Sequence, residues 1–287
     1  MCAMAQRVGL VLHPSRNVEE PLQALERWAA THRVELIRLE VIGDQQPVGL
    51  ETVLEACDLV VAIGGDGTTL AAIRAAATAD RPVMGVACGS LGVLTTVAAN
   101  RLTSALERFR VNTWTPRPLP ALEIARANGS ILLAFNDVVT VRGGQGQVRT
   151  TVHLDGVLYA RFAGDGWIVS TPVGSSAYAL ASGGPLLAPG ANAFTLTPLP
   201  THGGFCPPLV AGAASQLTLD TAVGYGGARL EIDGQVVDTR IGSVRVSLRP
   251  EVATIVDFAD DEPMLTGLRR RQLIIDSPRI LAEDARS

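Results

Sequence analysis

Residues 58–69 read DLVVAIGGDGTT, and this stretch is the most informative part of the sequence about its fold. Its first part is a continuous apolar run, which is typical of a strand buried on both faces of a parallel sheet. The run ends in Gly64 and Gly65, after which an acid, a third glycine and hydroxyl residues open a helical pattern at 67–79. Because ligands bind at the carboxyl ends of strands in such sheets, the stretch predicts a ligand site as well as a fold.

Strand and helix patterns alternate on both sides of this stretch. The predicted elements are strands at 7–13, 34–42, 58–65 and 82–89 and helices at 21–30, 48–56, 67–79 and 103–111. Such alternation predicts an α/β fold whose N-terminal domain has a Rossmann-like parallel sheet covered on both faces. We expect this domain to span residues 1–115.

The second half of the chain has a different sequence pattern. It follows the Pro-rich segment 113–122 and contains short strand patterns around glycine turns, at 122–142, 151–162 and 216–250. Asn-Gly and Asp-Gly between apolar runs are typical of two-residue hairpins. We therefore predict a C-terminal all-β, sandwich-like domain over residues 116–259.

The two ends of the chain carry weaker signals. The start lacks a signal-peptide pattern and no apolar run reaches transmembrane length, so we expect a cytoplasmic protein with no membrane partner. The tail, residues 260–287, is expected to pack back on the N-terminal domain. Its run of Arg269, Arg270 and Arg271 is expected to form a solvated helix face, because blocks of like charge are ordinarily exposed.

Composition excludes several classes of protein. Hydrophobic residues make up 47% of the 287, which allows a sizeable core. The net charge of −4 is spread evenly, which argues against a nucleic-acid partner. All 24 basic residues are arginine, so no mechanism that needs a catalytic lysine is open to this chain. The four cysteines and four histidines are scattered without ligand spacing, so no protein metal site is predicted.

Asp66 gives the glycine stretch its chemistry. Glycine allows a phosphate chain to approach the backbone, and the first amides of the following helix can receive anionic oxygens. An ordinary anion site would avoid an acid here. Asp66 therefore suits another task, which is to coordinate a cation or to take a proton from an attacking hydroxyl. The alternative is a tight turn in which Asp66 is only a helix N-cap.

A second polar turn lies in the β-rich half. Asp165 precedes a short apolar strand, and residues 171–178 then read TPVGSSAY. Hydroxyls and small residues at such a turn suit hydrogen bonds to a flat polar ligand. The alternative is a bulge and turn between strands with no ligand.

These motifs together resemble the NAD kinase family. They occur in that family's order, which is Gly64–Thr68, Gly89–Leu94, Asn136–Asp137, Asp165–Gly166, Thr171–Tyr178, Ser182–Pro185 and Asp233–Gln235. The resemblance runs from about residue 7 to about residue 275. The glycine–acid motif alone is shared with lipid kinases and phosphofructokinases, whereas the serine-rich turn is more particular to NAD kinases.

The resemblance implies NAD as acceptor, ATP or polyphosphate as phosphoryl donor, Mg²⁺ or Mn²⁺ as divalent cation, and a homodimer or homotetramer. Asp66 would be the catalytic base for the ribose 2′-hydroxyl, and Gly64, Gly65 and Thr68 would form the donor loop. The residues implied to bind the acceptor are Gly67, Asn136, Asp137, Asp165, Ser175, Ser176, Ala177, Tyr178 and Gln235.

The chain also departs from the family pattern. Ala71, Ala163 and Val173 stand where relatives commonly carry Arg or His, Arg, and Thr. Arg74 and Arg161 lie near enough in sequence to supply the missing charge. Two other functions stay open, namely a kinase of the same superfamily acting on a different nucleotide-like or lipid acceptor, and a nucleotide-binding regulator without activity. An intact Asp66 argues against the regulator, which gains nothing from an acid beside phosphates.

Overall fold

The computed structural model describes residues 6–40, 50–260 and 262–284. The described chain divides into two compact units, the first formed by residues 6–40, 50–117, 254–260 and 262–284 and the second by residues 118–253. Of the sequence-predicted elements, residues 41–42 of one strand and 48–49 of one helix lie outside the described ranges. Within those ranges, no helix is long and apolar enough to cross a membrane.

The strands fall in both units. They are β1 (Arg7–Leu12), β2 (Glu35–Arg38), β3 (Leu59–Gly64), β4 (Val83–Ala87), β5 (Val97–Ala98), β6 (Thr115–Arg126), β7 (Ile131–Ala134), β8 (Asp137–Arg142), β9 (Val148–Leu154), β10 (Val157–Gly164), β11 (Gly166–Ser170), β12 (Ala193–Pro198), β13 (Leu209–Gly212), β14 (Gln216–Val223), β15 (Ala228–Ile232), β16 (Gln235–Asp238) and β17 (Ser243–Asp257). The α-helices are α1 (Glu19–His32), α2 (Leu50–Glu55), α3 (Asp66–Ala76), α4 (Leu102–Arg110), α5 (Tyr178–Ala181), α6 (Met264–Arg270) and α7 (Pro278–Asp284).

The first unit is built on a parallel sheet in the order β2-β1-β3-β4-β5. The last residues of β17 join it through the parallel pair Ile255 and Val83. Every residue of β3 is buried, as the continuous apolar run predicted. Helix α3 follows β3 and buries Leu70, Ile73 and several alanines, whose small side chains suit close contact with neighbouring elements. The sheet brings the carboxyl end of β3 and the start of α3 to one edge.

The second unit is an antiparallel sandwich. One sheet has the order β13-β12-β11-β8-β15-β16, and β10-β9-β14-β17 form the other with the β6–β7 hairpin. Apolar side chains from both sheets, such as Trp167, Phe194 and Val246, share one buried core. The predicted Asp-Gly turns have positive φ at both residues, 51° and 81° at Asp155 and Gly156, as two-residue hairpin turns require. The predicted fold class is confirmed.

Two details of the β-rich half differ from expectation. The Pro-rich segment is part of β6, which runs from Thr115 to Arg126. Its prolines alternate along the strand, so their missing donors fall on one side and the other side can still pair. The stretch 122–142 was expected to hold two strands, but the second is split into β7 and β8 by Phe135 and Asn136. That break carries the candidate site of the second unit.

Candidate active site

Asp66 is the first residue of α3, but its side chain does not cap the helix. The preceding residue, Gly65, is extended with φ −147°, and the helix start has no side-chain capping bond. The carboxylate reaches a loop that we call the 92–95 loop (Gly92 to Thr95). Oδ2 accepts a hydrogen bond from the Val93 amide at 2.9 Å. Oδ1 accepts from the amides of Leu94 and Thr95, at 3.0 and 3.1 Å, and from the Thr95 hydroxyl at 3.2 Å.

These bonds use the two carboxylate oxygens unequally. A carboxylate offers about four acceptor positions, two on each oxygen. Oδ1 of Asp66 takes three donors, whereas Oδ2 takes one amide and keeps an acceptor position open. The side chain is 35% exposed, so this oxygen can be reached from outside. Asp66 is therefore held in one orientation with Oδ2 available to accept a proton.

The 92–95 loop is shaped to receive this carboxylate. A Cβ atom at Gly92 would lie 1.8 Å from Asp66 Oδ1, so the approach requires glycine. The buried Thr95 hydroxyl accepts a bond from the Gly92 amide at 2.7 Å while it donates to Asp66. The motif at 89–94 matched the family in sequence without a role of its own. Its role in the structure is to fix Asp66.

The glycines of the donor loop are not equivalent. A Cβ atom at Gly64 would lie 2.4 Å from the hydroxyl oxygen of Thr68, which is itself buried, so the protein's own packing requires this glycine. A Cβ atom at Gly65 would lie 3.2 Å from Nη1 of Arg16. A Cβ atom at Gly67 would meet no atom within 4 Å. Open space at Gly67 leaves the start of α3 accessible to a ligand.

The arginine run of the tail does not behave as one solvated face. Arg269 pairs with Asp276, and Arg270 pairs with Glu262 and donates to the Leu91 carbonyl at 3.2 Å. Arg271 instead lies beside the glycine stretch, with Nη1 3.9 Å from Asp66 Oδ2, and is 25% exposed. The expectation of a solvated face is wrong for Arg271, because the short helix α6 directs neighbouring side chains to different surroundings.

In the second unit, Asn136 and Asp137 are held by the carboxylate of Asp233. It accepts hydrogen bonds from three successive amides, Phe135 at 3.2 Å, Asn136 at 2.7 Å and Asp137 at 3.2 Å. The Asp233 amide returns a bond to the Asp137 carbonyl at 2.9 Å. Asp233 sits in the β15–β16 turn with φ 50°, which places its carboxylate against the start of β8.

Thr171 holds the same segment through its carbonyls. Its hydroxyl donates to the Phe135 carbonyl at 2.6 Å and its amide to the Asn136 carbonyl at 2.9 Å. A Cβ atom at Gly174 would lie 1.9 Å from the Asn136 carbonyl oxygen, so the serine-rich turn packs directly on this backbone. We call residues 135 to 137 the 135–137 segment. Its position is set by Asp233 and Thr171 together.

Asp137 is a buried carboxyl, 5% exposed. Burial raises its pKa to about 7, and the nearby carboxylates of Asp233 and Glu231 add to the shift. Glu231 is itself paired with Arg229. Near neutral pH this carboxyl therefore exists in both protonation states, and it can either donate or accept a hydrogen bond.

The serine-rich turn contains hydroxyls that already form hydrogen bonds within the protein, and it also contains exposed side chains. Ser175 is fully buried, and its hydroxyl donates to the Pro172 carbonyl at 2.7 Å and accepts from the Leu187 amide at 2.9 Å. The Ser176 hydroxyl donates to the Val173 carbonyl at 2.8 Å. Ala177 and Tyr178 are exposed. Gln235, at the start of β16, is partly exposed and follows the Asp233 turn by two residues.

Asp165 already has a cation beside it. Its Oδ1 accepts a bond from Arg142 Nε at 2.6 Å, and His202 Nε2 lies 3.9 Å away. Ala163 and Arg161 are two residues apart on β10 and both line a cavity of about 710 Å³. Arg149 and His202 line the same cavity. The cavity that Ala163 lines is therefore lined by two arginines as well.

Comparisons with known proteins show which family the chain is similar to. The family model described as ATP-NAD kinase N-terminal domain matches residues 8–112, and the ATP-NAD kinase C-terminal domain matches residues 135–248. An NAD kinase from Sulfurimonas denitrificans is 30% identical over 265 residues, covering 88% of this chain and 91% of that protein. An NAD kinase from Clostridium perfringens is 31% identical over 277 residues, covering 94% of this chain and 100% of that protein.

Two solved structures share the fold. Yeast NADH kinase complexed with NADH has a TM-score of 0.80 at 19% identity, covering 96% of this chain and 90% of that chain. An NAD kinase from Archaeoglobus fulgidus in complex with ATP has a TM-score of 0.69 at 23% identity, covering 93% and 96%. With both domain models matched in order and relatives aligned over most of its length, the chain belongs to the NAD kinase family.

Proposed function

We propose that the protein phosphorylates the 2′-hydroxyl of the adenosine ribose of NAD, with ATP or polyphosphate as donor. The observation that carries this is Asp66. It lies at the carboxyl end of β3, is oriented by four hydrogen bonds, and keeps an acceptor position on Oδ2 beside the open space at Gly67. A regulator that only bound nucleotides would gain nothing from a carboxylate held in this way.

The reaction follows from that geometry. Oδ2 of Asp66 accepts the proton of the 2′-hydroxyl as the ribose oxygen attacks the terminal phosphorus of the donor. The new oxygen–phosphorus bond forms as the bond from that phosphorus to the leaving phosphate oxygen breaks. With ATP as donor the products are NADP and ADP, and the proton on Asp66 returns to solvent. The 92–95 loop keeps Asp66 from rotating away during the step.

The acceptor-binding roles rest on the second unit. We propose that Asn136 and Asp137 bind the adenosine part of NAD, supported by how tightly the 135–137 segment is fixed. Ser176, Ala177, Tyr178 and the backbone of the buried Ser175 would line the adenine and ribose pocket. Asp165 would contact the nicotinamide side and Gln235 the acceptor from β16. For the donor, Gly64, Gly65 and Thr68 would shape the phosphate loop, with Gly67 against the acceptor.

A divalent cation fits the residues present. The described parts of the chain hold no group of three or more His, Cys, Asp or Glu side chains that could bind a metal ion, so a cation would take most of its ligands from the donor and from water. This suits Mg²⁺ or Mn²⁺, which keep much of their water and bind chiefly through phosphate oxygens. Asp66 would offer it a carboxylate oxygen. Bound with the donor, the cation supplies neutralisation of phosphate charge.

The departures from the family pattern bear on acceptor affinity. We propose that Arg161 supplies the charge that Ala163 lacks, because both residues line the same cavity of the second unit. Arg74 lies one helical turn beyond Ala71 on α3 and is the corresponding proposal there. A different nucleotide-like acceptor is the second candidate. It is favoured if neither arginine contributes to NAD binding.

The proposal also includes the oligomeric state of the protein and its location in the cell. A homodimer or homotetramer is supported by large apolar side chains exposed on the second unit, with Phe205 87% and Tyr225 86% exposed. The cytoplasm is the proposed location. Light scattering at several protein concentrations tests the assembly, and a single monomeric mass throughout would contradict it.

The activity itself is tested with acceptor and donor as separate variables. Purified protein is incubated with NAD or NADH, ATP or polyphosphate, and Mg²⁺ or EDTA, and NADP is measured with an NADP-specific dehydrogenase. We expect NADP from NAD and ATP in the presence of Mg²⁺ and none with EDTA. Hydrolysis of ATP without NADP formation would point to the different acceptor.

A further inference from the structure

Arg271 is placed where the proposed reaction develops charge. Its Nη1 lies 3.9 Å from Oδ2 of Asp66, the carboxylate oxygen that keeps an open acceptor position. A second contact fixes the side chain, because Nε donates to the Gly267 carbonyl of α6 at 3.3 Å. The side chain as a whole is 25% exposed, so it is partly buried yet can be reached by a ligand.

Distance places the guanidinium within reach of the transferred group. A base accepts a proton from a hydroxyl oxygen at about 2.6–3.2 Å, and reacting atoms approach to about 3–3.5 Å before bond formation. The phosphorus that receives the ribose oxygen must therefore lie within roughly 6–7 Å of Asp66 Oδ2. A guanidinium with a nitrogen 3.9 Å from that oxygen can contact an oxygen of the same phosphoryl group.

The charge balance of the region supports a ligand role. The chain has no lysine, so only arginine can supply a permanently charged side-chain cation at the donor. Arg269 and Arg270 are each matched with a carboxylate at 2.9 Å or less, whereas Arg271 faces Asp66 at a distance too long for a hydrogen bond. Arg16, whose Nη1 lies close to Gly65, has no carboxylate partner among the described residues.

We propose that Arg271 is a catalytic residue whose guanidinium binds the phosphoryl group as it passes from donor to acceptor, with Arg16 binding the preceding phosphate. The inference rests on the proposed kinase reaction and adds a residue to it. The guanidinium stays protonated throughout and donates hydrogen bonds only. Such a group stabilises the charge of a phosphoryl-transfer transition state.

The test compares Arg271→Gln and Arg271→Lys with Arg269→Gln as matched control. Arg269 lies two residues earlier, in the last turn of α6, and Arg269→Gln loses only the exposed ion pair with Asp276. We expect Arg271→Gln to lower kcat roughly 10²–10³-fold, as loss of a preorganised donor to a transition state does. Lys keeps the charge without the planar fork and should recover part of the rate. Arg269→Gln should stay within about twofold of wild type.

Two readouts separate this role from a structural one. If Arg271 acted only through the charge of Asp66, the rate lost by Arg271→Gln at pH 7 would return at higher pH; we expect the loss to persist across pH 6–9. Guanidinium ion added to Arg271→Ala should restore part of the rate, and added to Asp66→Asn it should restore none. A rate within threefold of wild type in Arg271→Gln, an equal loss in Arg269→Gln, or a melting temperature that falls with the rate overturns the proposal.

Binding of inorganic triphosphate to the same proteins separates this inference from the proposed function. We expect Arg271→Gln to weaken triphosphate binding tenfold or more, and Arg269→Gln to leave it unchanged. If wild-type protein makes no NADP but shows this pattern, the acceptor assignment fails and the phosphate contact stands. If wild-type protein makes NADP and triphosphate binds equally to all variants, Arg271 is not a phosphate ligand.

Discussion

At the scale of single residues, the carboxyl of Asp137 has a pKa of about 7, well above its usual value. It is buried on β8, and the backbone of the 135–137 segment holds it close to Asp233 and Glu231. Ionising it there costs free energy that ionising it in the unfolded chain does not. The sequence showed only an Asn-Asp pair, and burial beside two further acids is decided by strands far apart in the chain.

The raised pKa predicts a specific dependence of stability on pH. Below about pH 4, Asp137 is protonated in both the folded and the unfolded chain. As the pH rises toward 7 only the unfolded chain ionises, so folding is penalised, and above about 7 the penalty is constant. Raising the pKa from 3.8 to about 7 corresponds to roughly 4 kcal/mol.

Asp137→Asn removes this titration and nearly keeps the shape. We expect the free energy of unfolding of the variant, relative to wild type, to rise between pH 4 and pH 7 and then to level off. Urea titrations at five pH values measure it. A difference that does not change with pH would show that the carboxyl titrates normally.

Two glycines beside Asp66 provide a second residue-scale prediction. Gly67→Ala places a methyl group in open space, so we expect unchanged or slightly increased stability, by at most about 1 kcal/mol, and weaker binding of ATP and NAD. Gly92→Ala forces a carbon against Asp66 Oδ1, so stability and turnover should fall together. Thermal melts and titrations of both variants decide this. An equal loss of stability in Gly67→Ala would mean that the glycine serves the turn alone.

At the scale of elements, the turn of the β15–β16 hairpin fixes the position of the start of β8 by hydrogen bonds. Asp233 in its turn accepts three amide bonds from the 135–137 segment. Asp155 is a matched residue in the β9–β10 turn, also followed by glycine and with φ 51°, and it accepts one bond from the Gln216 amide at 2.8 Å. The two turns have the same local chemistry but different neighbours.

We expect Asp233→Asn to raise the KM for NAD roughly tenfold with a smaller effect on kcat. The reason is that Asn has one acceptor oxygen instead of two, so it cannot accept all the amide hydrogen bonds of the 135–137 segment. Asp155→Asn should change neither constant. Removing the Asp233 charge should also lower the pKa of Asp137, which moves the pH dependence of NAD binding to lower pH. Equal effects of the two substitutions on KM would mean that Asp233 supports only its own hairpin.

Much of the element structure was predictable from local pattern. Continuous apolar runs predicted β3 and β4, helical spacing predicted α1 and α3, and Asp-Gly turns predicted two hairpins, because each depends on neighbours within a few residues. The Pro-rich part of β6 was not recognised as strand, since only pairing on one side makes prolines tolerable there. The split between β7 and β8 likewise depends on Asp233 and Thr171, which lie far along the chain.

At the scale of the whole molecule, the family assignment rests on sequence matches over most of the chain, whereas some site residues are recognised only from the folded structure. The two domain models and the relatives cover most of the chain, which the ordered motifs predicted. The glycine–acid motif located Asp66, whereas Arg271 and the 92–95 loop became visible only when folding brought them to it. A helix-tail arginine has no local signal for such a role.

In the proposed reaction, Asp66 is the base that accepts the 2′-hydroxyl proton while the bound donor phosphorylates bound NAD. Asp66→Asn keeps the shape but loses one acceptor toward the 92–95 loop, so Thr95→Val serves as control for loosening that loop alone. Thr95→Val should lower the rate less than tenfold, because the base remains. The variants are compared with wild type at saturating substrate, with binding measured in parallel.

The decisive measurement is single-turnover transfer of the terminal phosphoryl group from radiolabelled ATP to NAD. We predict that wild-type protein gives label at the 2′-position of NADP, and that Asp66→Asn is slower by roughly 10²–10⁴-fold. Its dissociation constants for ATP and NAD should stay within a few-fold of wild type. A transfer rate near wild type in Asp66→Asn, or no labelled NADP from the wild-type protein, would contradict the account.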